Sequence, residues 1–380
     1  MSDVLIYGDT VRSPALRHEI PLAIIDPFLY LEHDGRRFAV ASVLERDRIS
    51  GVARDIDLLT PEELGRDDLV ASGRTWNEIE LELCVRACER VGLRSATVPA
   101  ETPVALADRL RSEGLELRPD ADAFELRRRV KNAAEIAGVR RAQTAANAGM
   151  AAAAEMLRTS SAGNGALEHD GETLTAERLR ARIREVCAAY GAPTDGDIIV
   201  APGAQGAAGH EPGHGPLPPD TPIIIDIWPQ DEVSGCFADM TRTFVVGTPA
   251  DDVAAMHALA LESLRAVQAA ARAGLRGVDL YDVSCEPFEA AGHPTQRTKR
   301  PGETLRDGYF HSLGHGVGLE VHEAPSLGRT GHEQLLAGDV VAVEPGTYRA
   351  GYGGVRLEDL LAITEDGAEV LTDFPYDLTP

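Results

Sequence analysis

Lysine is almost missing from this chain. Of its 37 basic residues only Lys131 and Lys299 are lysine, and 61 acidic residues leave a net charge of −24. A surface of that sign repels a polyanion, so nucleic acid is excluded as a partner. Cysteine is sparse as well: Cys84, Cys88, Cys187, Cys236 and Cys285 form an odd, scattered set with no CxxC pair. That pattern gives no disulfide framework and suits a reducing compartment. Cys84 and Cys88 stand one helical turn apart with no histidine beside them, and they read as core thiols. No apolar run approaches the length of a membrane span. Met1-Ser2-Asp3 opens without the basic-then-apolar pattern of a secretory signal. A soluble, cytoplasmic protein with no membrane partner is expected.

The 380 residues, 43% of them hydrophobic, are enough for two cored domains. In the first, Pro27–Glu32 and Arg37–Ser42 read as strands joined through the turn signal Asp34-Gly35. Trp76–Val91 reads as a helix with Ile79, Leu83, Ala87 and Val91 on one face. His18 and His33 read as ordinary polar residues, and this half holds no ligand cluster or phosphate loop. A long helical pattern then runs from Leu126 to Leu157, opening on the basic cluster Arg127-Arg128-Arg129-Val130-Lys131. The expected reading of that cluster is a solvated helix face at a domain junction. The boundary is therefore placed between residues 1–125 and 126–380. A loop at Ser160–Gly171, a helix at Thr175–Tyr190 and a strand at Ile198–Gly203 follow. Helices are expected at Asp251–Ala273 and Asp279–Ala291.

The second domain carries the chemistry. Ile223–Ile227 is a strand-like apolar run broken by Asp226, and Asp239 heads a second β-prone run at Thr241–Val246. Pro229 and Ser234-Gly235 lie between and read as a turn, so the runs can pair as a hairpin. A carboxylate inside an apolar strand is costly unless something pairs it, and a metal is one such partner. Downstream, His311, His315 and His322 lie among Gly314, Gly316 and Gly318, where the backbone can approach something closely. Val340–Val343 then ends in Glu344-Pro-Gly, and Gly353–Leu360 reads as one strand whose period of two puts Arg356 and Glu358 on the same face. A strand-end acid facing water would account for any one of these. Their recurrence in the half that holds the histidines points to a site.

Charge selects the cofactor. Asp226, Asp239, Glu344 and Glu358 supply four negative charges, which two divalent ions balance. Oxygen-rich coordination with a single neutral imidazole favours Mn²⁺ or Co²⁺, with zinc or iron also compatible. Two such ions can hold a bridging hydroxide and polarise a carbonyl, the requirements of hydrolysis.

The ordered set Asp226, Asp239-Met-Thr-Arg-Thr, His311-x3-His315-Gly-x-Gly-Leu-x-x-His322-Glu, Glu344-Pro-Gly and Gly354-Val-Arg-x-Glu358-Asp resembles the M24 metallopeptidases. Within them it is most similar to the Xaa-Pro dipeptidase (prolidase) and aminopeptidase P branch. The resemblance extends more weakly to the helix around Arg129-Val-Lys131 and to the N-terminal part. It implies an α/β (α+β) architecture: a C-terminal pita-bread catalytic domain behind a smaller creatinase-like N-terminal domain, usually as a homodimer. It implies five metal ligands, Asp226, Asp239, His315, Glu344 and Glu358, with Asp239 and Glu358 shared by both ions. Glu344 would also help deprotonate the bridging water, His210 and His322 would contact the substrate, and His311 would shuttle a proton or orient the substrate. Arg356 would hold Asp239 or the substrate in register. His210 is placed only by its distance before Asp226, and His214 is the alternative.

The activity implied is that of a dinuclear metallo-exopeptidase, a Xaa-Pro dipeptidase or aminopeptidase. It would cleave the bond between an N-terminal residue and proline in small peptides, with the metal-bridging hydroxide as nucleophile. A C–N hydrolase of a small non-peptide is the alternative on the same fold. A peptide-binding module without catalysis is disfavoured by the intact ligand set. The sequence departs from the family in a slightly longer gap between Asp226 and Asp239, and in Ile-Trp-Pro after Asp226. Both are expected to affect substrate size rather than metal binding.

Overall fold

The computed structural model describes residues 3–194, 196 and 198–380. Its contacts divide the chain into one unit formed by residues up to Arg128 with Val233–Gly235, and another formed by Arg129–Glu232 with Cys236–Pro380.

The first unit is built on a six-stranded sheet in the order Ile56–Leu59, Arg36–Val40, Phe28–His33, Val4–Gly8, Ser95–Val98, Glu116–Pro119. Its three central strands are antiparallel and its outer pairings parallel. The expected hairpin forms, closed by Asp34 and Gly35, which both adopt positive φ (51° and 75°), the geometry of a type I′ turn. The helix Trp76–Val91 has the expected bounds. Thr75 and Glu78 form a capping box at its start, and Gly92 ends it in the left-handed region. Ile79, Leu83 and Ala87 bury its apolar face together with the Cys84 and Cys88 thiols, which burial pushes up, Cys88 to about 12.

The second unit holds a three-stranded sheet, Ile199–Pro202, Ile223–Ile227 and Met240–Phe244, and a five-stranded one in the order Glu323–Leu327, Gly314–Gly316, Val340–Val343, Asp359–Ile363, Ala368–Val370. A hairpin, Gly346–Arg349 with Gly353–Arg356, stands beside them. Helix Ala133–Arg158 packs with Ala176–Ala189, and Asp251–Ala270 with Gly277–Ala290. Each pair closes a separate core. Val340 and Ala342 point into the first core while Val341 and Val343 point into the second, as strand alternation requires. The same rule turns Ile223, Ile225 and Ile227 into the first core and leaves Asp226 on the opposite face. None of the described helices is long and apolar enough to cross a membrane.

Four expectations are corrected. The helical pattern from Leu126 to Leu157 is two helices, Ala121–Arg129 and Ala133–Arg158. Asn132 interrupts it because its side chain accepts from the Ala134 and Glu135 amides while the Glu135 carboxylate accepts from the Asn132 amide. The basic cluster is not a solvated face. Arg128, Arg129 and Lys131 are buried, Arg129 held by Asp339 at 2.6 Å and Lys131 by Glu323. Arg127 is half-buried and pairs with Glu19 at 2.6 Å and with Glu32. The loop at Ser160–Gly171 contains most of a small sheet, Ser161–Gly163, Ala166–His169 and Glu172–Thr173, turned at Asn164-Gly165 and Asp170-Gly171 with positive φ. Finally, Gly353–Leu360 is not one strand: Gly353–Arg356 pairs with Gly346–Arg349, and Asp359–Ile363 pairs with Val340–Val343.

Candidate metal centre

The centre is assembled from strand ends. Asp226 lies opposite Thr241 in the hairpin of Ile223–Ile227 with Met240–Phe244, and Asp239 immediately precedes the second strand. The residues between them close as a turn, with the Asp231 amide donating to the Cys236 carbonyl at 2.8 Å. Arg141 pins that turn by two hydrogen bonds to Asp231, at 2.9 and 2.8 Å. The longer gap is therefore an ordered hairpin end.

His315 sits in Gly314–Gly316, paired on one side with Ala342 and on the other with Ser326. Its glycine neighbours are required by that close approach. A Cβ on Gly314 would meet the Ala342 carbonyl at 1.9 Å, and one on Gly316 the Ala324 carbonyl at 2.2 Å. The His315 Nδ1–H donates to the Gly316 carbonyl at 3.1 Å, which fixes the tautomer and turns the Nε2 lone pair into the site. That Nε2 lies 3.8 Å from Asp239 Oδ2 and 4.0 Å from Glu344 Oε1. Ligand atoms of Asp239, His315 and Glu358 all lie within 4.8 Å of one another.

Arg356 ties the carboxylates together. Its guanidinium donates to Asp226 at 2.5 Å and to the Thr241 hydroxyl at 3.2 Å, and stands 3.9 Å from Glu344. Thr241 in turn donates to Glu358 at 2.7 Å. Arg356, expected to hold Asp239 or the substrate, donates to Asp226 and acts on Asp239 through its charge. Backbone hydrogen bonds through the Thr243 hydroxyl, at 3.1 and 2.9 Å, seat Arg356 beside Met240–Phe244, and from there its side chain reaches across to the neighbouring strand. Arg242, 1% exposed, fixes the other side by donating to the Glu358 carbonyl at 2.7 Å and to Asp359 at 2.9 Å.

The histidines form the open wall. His311 donates from Nδ1 to the Ser312 carbonyl at 2.8 Å, so its Nε2 accepts from the Tyr348 hydroxyl at 2.9 Å. Tyr348 itself accepts from Arg356 at 3.3 Å. The exposed ring of His322 stands 4.2 Å from that of His315. His210, exposed in the segment after Gly203–Ala208, is close enough to act electrostatically on both His311 and His322. The His214 backbone amide donates to Gln205 at 2.8 Å. Tyr348 and Thr241 were missed in the sequence, although both lie inside the quoted motifs or within four residues of Glu344.

The electrostatics are those of a site short of cations. Burial, then the charges of Asp226 and Glu344, raise Asp239 well above the usual carboxylate range; Arg356 opposes the shift. Burial and then Asp239, Asp226 and Glu344 do the same to Glu358. Burial raises Glu344 to about 8 against the pull of Arg356. Burial lowers His311 and His315 to about 4, leaving both neutral near pH 7. Asp226 Oδ1 is buried and has no hydrogen-bond partner among the described residues. An orphaned carboxylate oxygen, a neutral imidazole aimed inward and mutually repelling acids are together the donor set of a divalent metal site.

Residues 137–365 match the model of metallopeptidase family M24. A Xaa-Pro dipeptidase of Pyrococcus furiosus is 37% identical over 135 residues, covering 36% of this chain and 35% of that protein. A probable dipeptidase, PepE, of Mycobacterium tuberculosis is 30% identical over 318 residues, covering 78% and 77%. Among solved structures, a Xaa-Pro dipeptidase from Bacillus anthracis superposes with a TM-score of 0.79 at 22% identity, covering 100% of this chain and 94% of that one. An X-Pro aminopeptidase from Thermotoga maritima gives 0.79 at 21% identity, covering 99% and 97%. These two similarities establish the fold, the pita-bread α/β architecture with an N-terminal domain.

Proposed function

The chain belongs to metallopeptidase family M24, and on that premise we propose that it is a dinuclear metallo-exopeptidase cleaving the bond between an N-terminal residue and proline. The observation that carries this reading is the convergence of four buried or half-buried carboxylates and one inward-facing imidazole around a single arginine. Residues 126–380 form the catalytic domain in this reading, and residues 1–125 a creatinase-like N-terminal domain.

Asp226, Asp239, His315, Glu344 and Glu358 would hold two divalent ions, Mn²⁺ or Co²⁺ in preference to zinc or iron, given one nitrogen ligand among oxygens. Bound there, the ions supply Lewis acidity and an activated hydroxide. The chain's own residues do the rest. Glu344, at the edge of the cluster with 21% of its side chain exposed, is placed to take a proton from the nucleophilic water. His322 and His210 line the open wall, where an imidazole N–H can meet the scissile carbonyl oxygen as it gains charge. His311, braced through Tyr348 to Arg356, is held where it can pass a proton to the leaving proline nitrogen. Arg356 keeps Asp226 oriented. Small peptides with proline at the second position are the proposed substrates. A cytoplasmic homodimer is the proposed form.

The test uses metal-stripped protein with Mn²⁺, Co²⁺ or Zn²⁺ restored, assayed on an Xaa-Pro dipeptide and on a longer Xaa-Pro peptide. Proline release that returns with metal supports the reading, and the ratio between the substrates assigns dipeptidase or aminopeptidase. Bound metal without cleavage of either peptide would redirect the assignment to small C–N substrates. Failure to bind metal would overturn it.

A further inference from the structure

The first unit contains a cavity of about 650 Å³, lined entirely by residues between Tyr7 and Ala105. That volume lies within the range of small-molecule pockets. Phe28, Ile49 and Leu83 are among its apolar walls, contributed by a strand and two helices. Helix Trp76–Val91 turns Trp76, Glu80 and Leu83 toward it, at the spacing that puts side chains on one helical face.

Its polar groups are few and complementary. Glu80, Tyr7 and Arg66 all line it, and among the described residues the side chains of these three make no hydrogen bond or ion pair. The Arg66 guanidinium lies 4.9 Å over the Trp76 ring, which is 60% exposed and stands at the rim. Arg66 and Glu80 line the same cavity and act on one another electrostatically without forming an ion pair. The other two acids of the wall do not compete: Glu45 is held by Arg48, and Asp26 is exposed. Burial raises Glu80, and the charge of Arg66 only partly opposes the shift. A half-buried acid and a guanidinium stacked on Trp76, set in one largely apolar wall, offer a zwitterion one partner for each of its charges.

We propose that this cavity binds a small apolar zwitterion, an apolar α-amino acid or a short peptide of such residues. Its ammonium would meet Glu80, its carboxylate Arg66, and its side chain the apolar wall beneath Trp76. The site shares no residue with the metal centre, and its test does not depend on hydrolysis.

Trp76 and Trp228 are the two tryptophans, so a full-length Trp228→Phe variant makes Trp76 the reporter. L-phenylalanine is titrated by Trp76 emission and by calorimetry, against phenethylamine, which lacks the carboxylate, and 3-phenylpropanoate, which lacks the amine. Saturable binding of L-phenylalanine, at least about tenfold tighter than either single-charge analogue, is expected. Glu80→Gln should remove that advantage over 3-phenylpropanoate, and Arg66→Gln that over phenethylamine. Glycyl-L-phenylalanine separates a one-residue from a two-residue occupant by which of the two binds tighter. The proposal is overturned if L-phenylalanine at millimolar concentration neither shifts Trp76 nor gives heat. It is overturned equally if phenethylamine binds as well, which would make this a site for organic cations, or if both variants bind as before.

Discussion

Two clusters of buried charge lie in the same unit, and they are built on opposite principles. Around Asn132, two buried bases face acids: Arg129 meets Asp339 at 2.6 Å and Glu333 at 2.9 Å, and Lys131 meets Glu323. Around His315, Asp226, Asp239, Glu344 and Glu358 share one cation among the described residues, Arg356, and burial and mutual repulsion raise Asp239, Glu344 and Glu358. The first cluster is complete as a piece of structure. The second is incomplete, and the missing positive charge is what a function must bring. Burial of charge is therefore a poor marker of a site, whereas imbalance of buried charge is a good one.

The comparison can be broken most directly by Asp239→Ala. Activity in the presence of metal should fall by on the order of 10³ or more, beyond the 10–100-fold that loss of an outer partner costs. Metal stoichiometry measured on the same sample should fall with it, and full activity would remove Asp239 from the centre. In the balanced cluster Asp339→Asn should instead destabilise the fold by about 3 kcal/mol, because it removes the buried partner of Arg129 and leaves that charge only the exposed Glu333. Urea unfolding would read this equally with and without metal.

The imbalance should also appear as a pH effect. A carboxyl group raised from 4.5 to about 8 leaves the folded state holding a proton that the unfolded state has released. Stability then falls as pH rises through that window, and the penalty is fully present above it. His311 and His315, lowered from 6.5 to about 4, act the other way below pH 6.5. The metal-free protein should therefore lose Tm between pH 6.5 and 8, where only the carboxyl contribution remains, and metal should abolish the loss. A metal-free Tm that rises across that interval would contradict the account. Tyr348→Phe should lower turnover about tenfold, on the scale of an outer-shell contact, while leaving metal affinity unchanged, since the tyrosine bridges Arg356 to His311. The smallest effect is expected at Glu333→Gln. Its side chain is 57% exposed and Asp339 retains Arg129, so urea unfolding should shift by no more than about 0.5 kcal/mol.

Much of the site was legible because strand period and glycine spacing are local signals. Asp226 interrupts an isoleucine run, and Gly314 and Gly316 flank His315 where any Cβ would strike a carbonyl. The residues that hold these groups in place were not legible. Thr241, Arg242 and Tyr348 look like ordinary strand residues until the hairpins pair, and the pairing partner of Arg356 depends on which strand lies beside it. The basic run Arg127–Lys131 misled for the same reason. Its acids, Glu19, Asp339 and Glu323, are distant in sequence, so a paired cluster reads locally as a solvated one.

The sequence by itself determined which residue types recur at strand ends, that two divalent charges would balance them, and the family to which their order belongs. Periodicity and composition are properties of neighbours along the chain. Only the tertiary structure decided that the long helix breaks at Asn132, that Arg356 grips Asp226, and that Tyr7, Arg66 and Glu80 face one apolar cavity. Those outcomes depend on which distant segments share a desolvated space. There an unpaired charge is costly, and its partner is chosen by packing rather than by proximity along the chain.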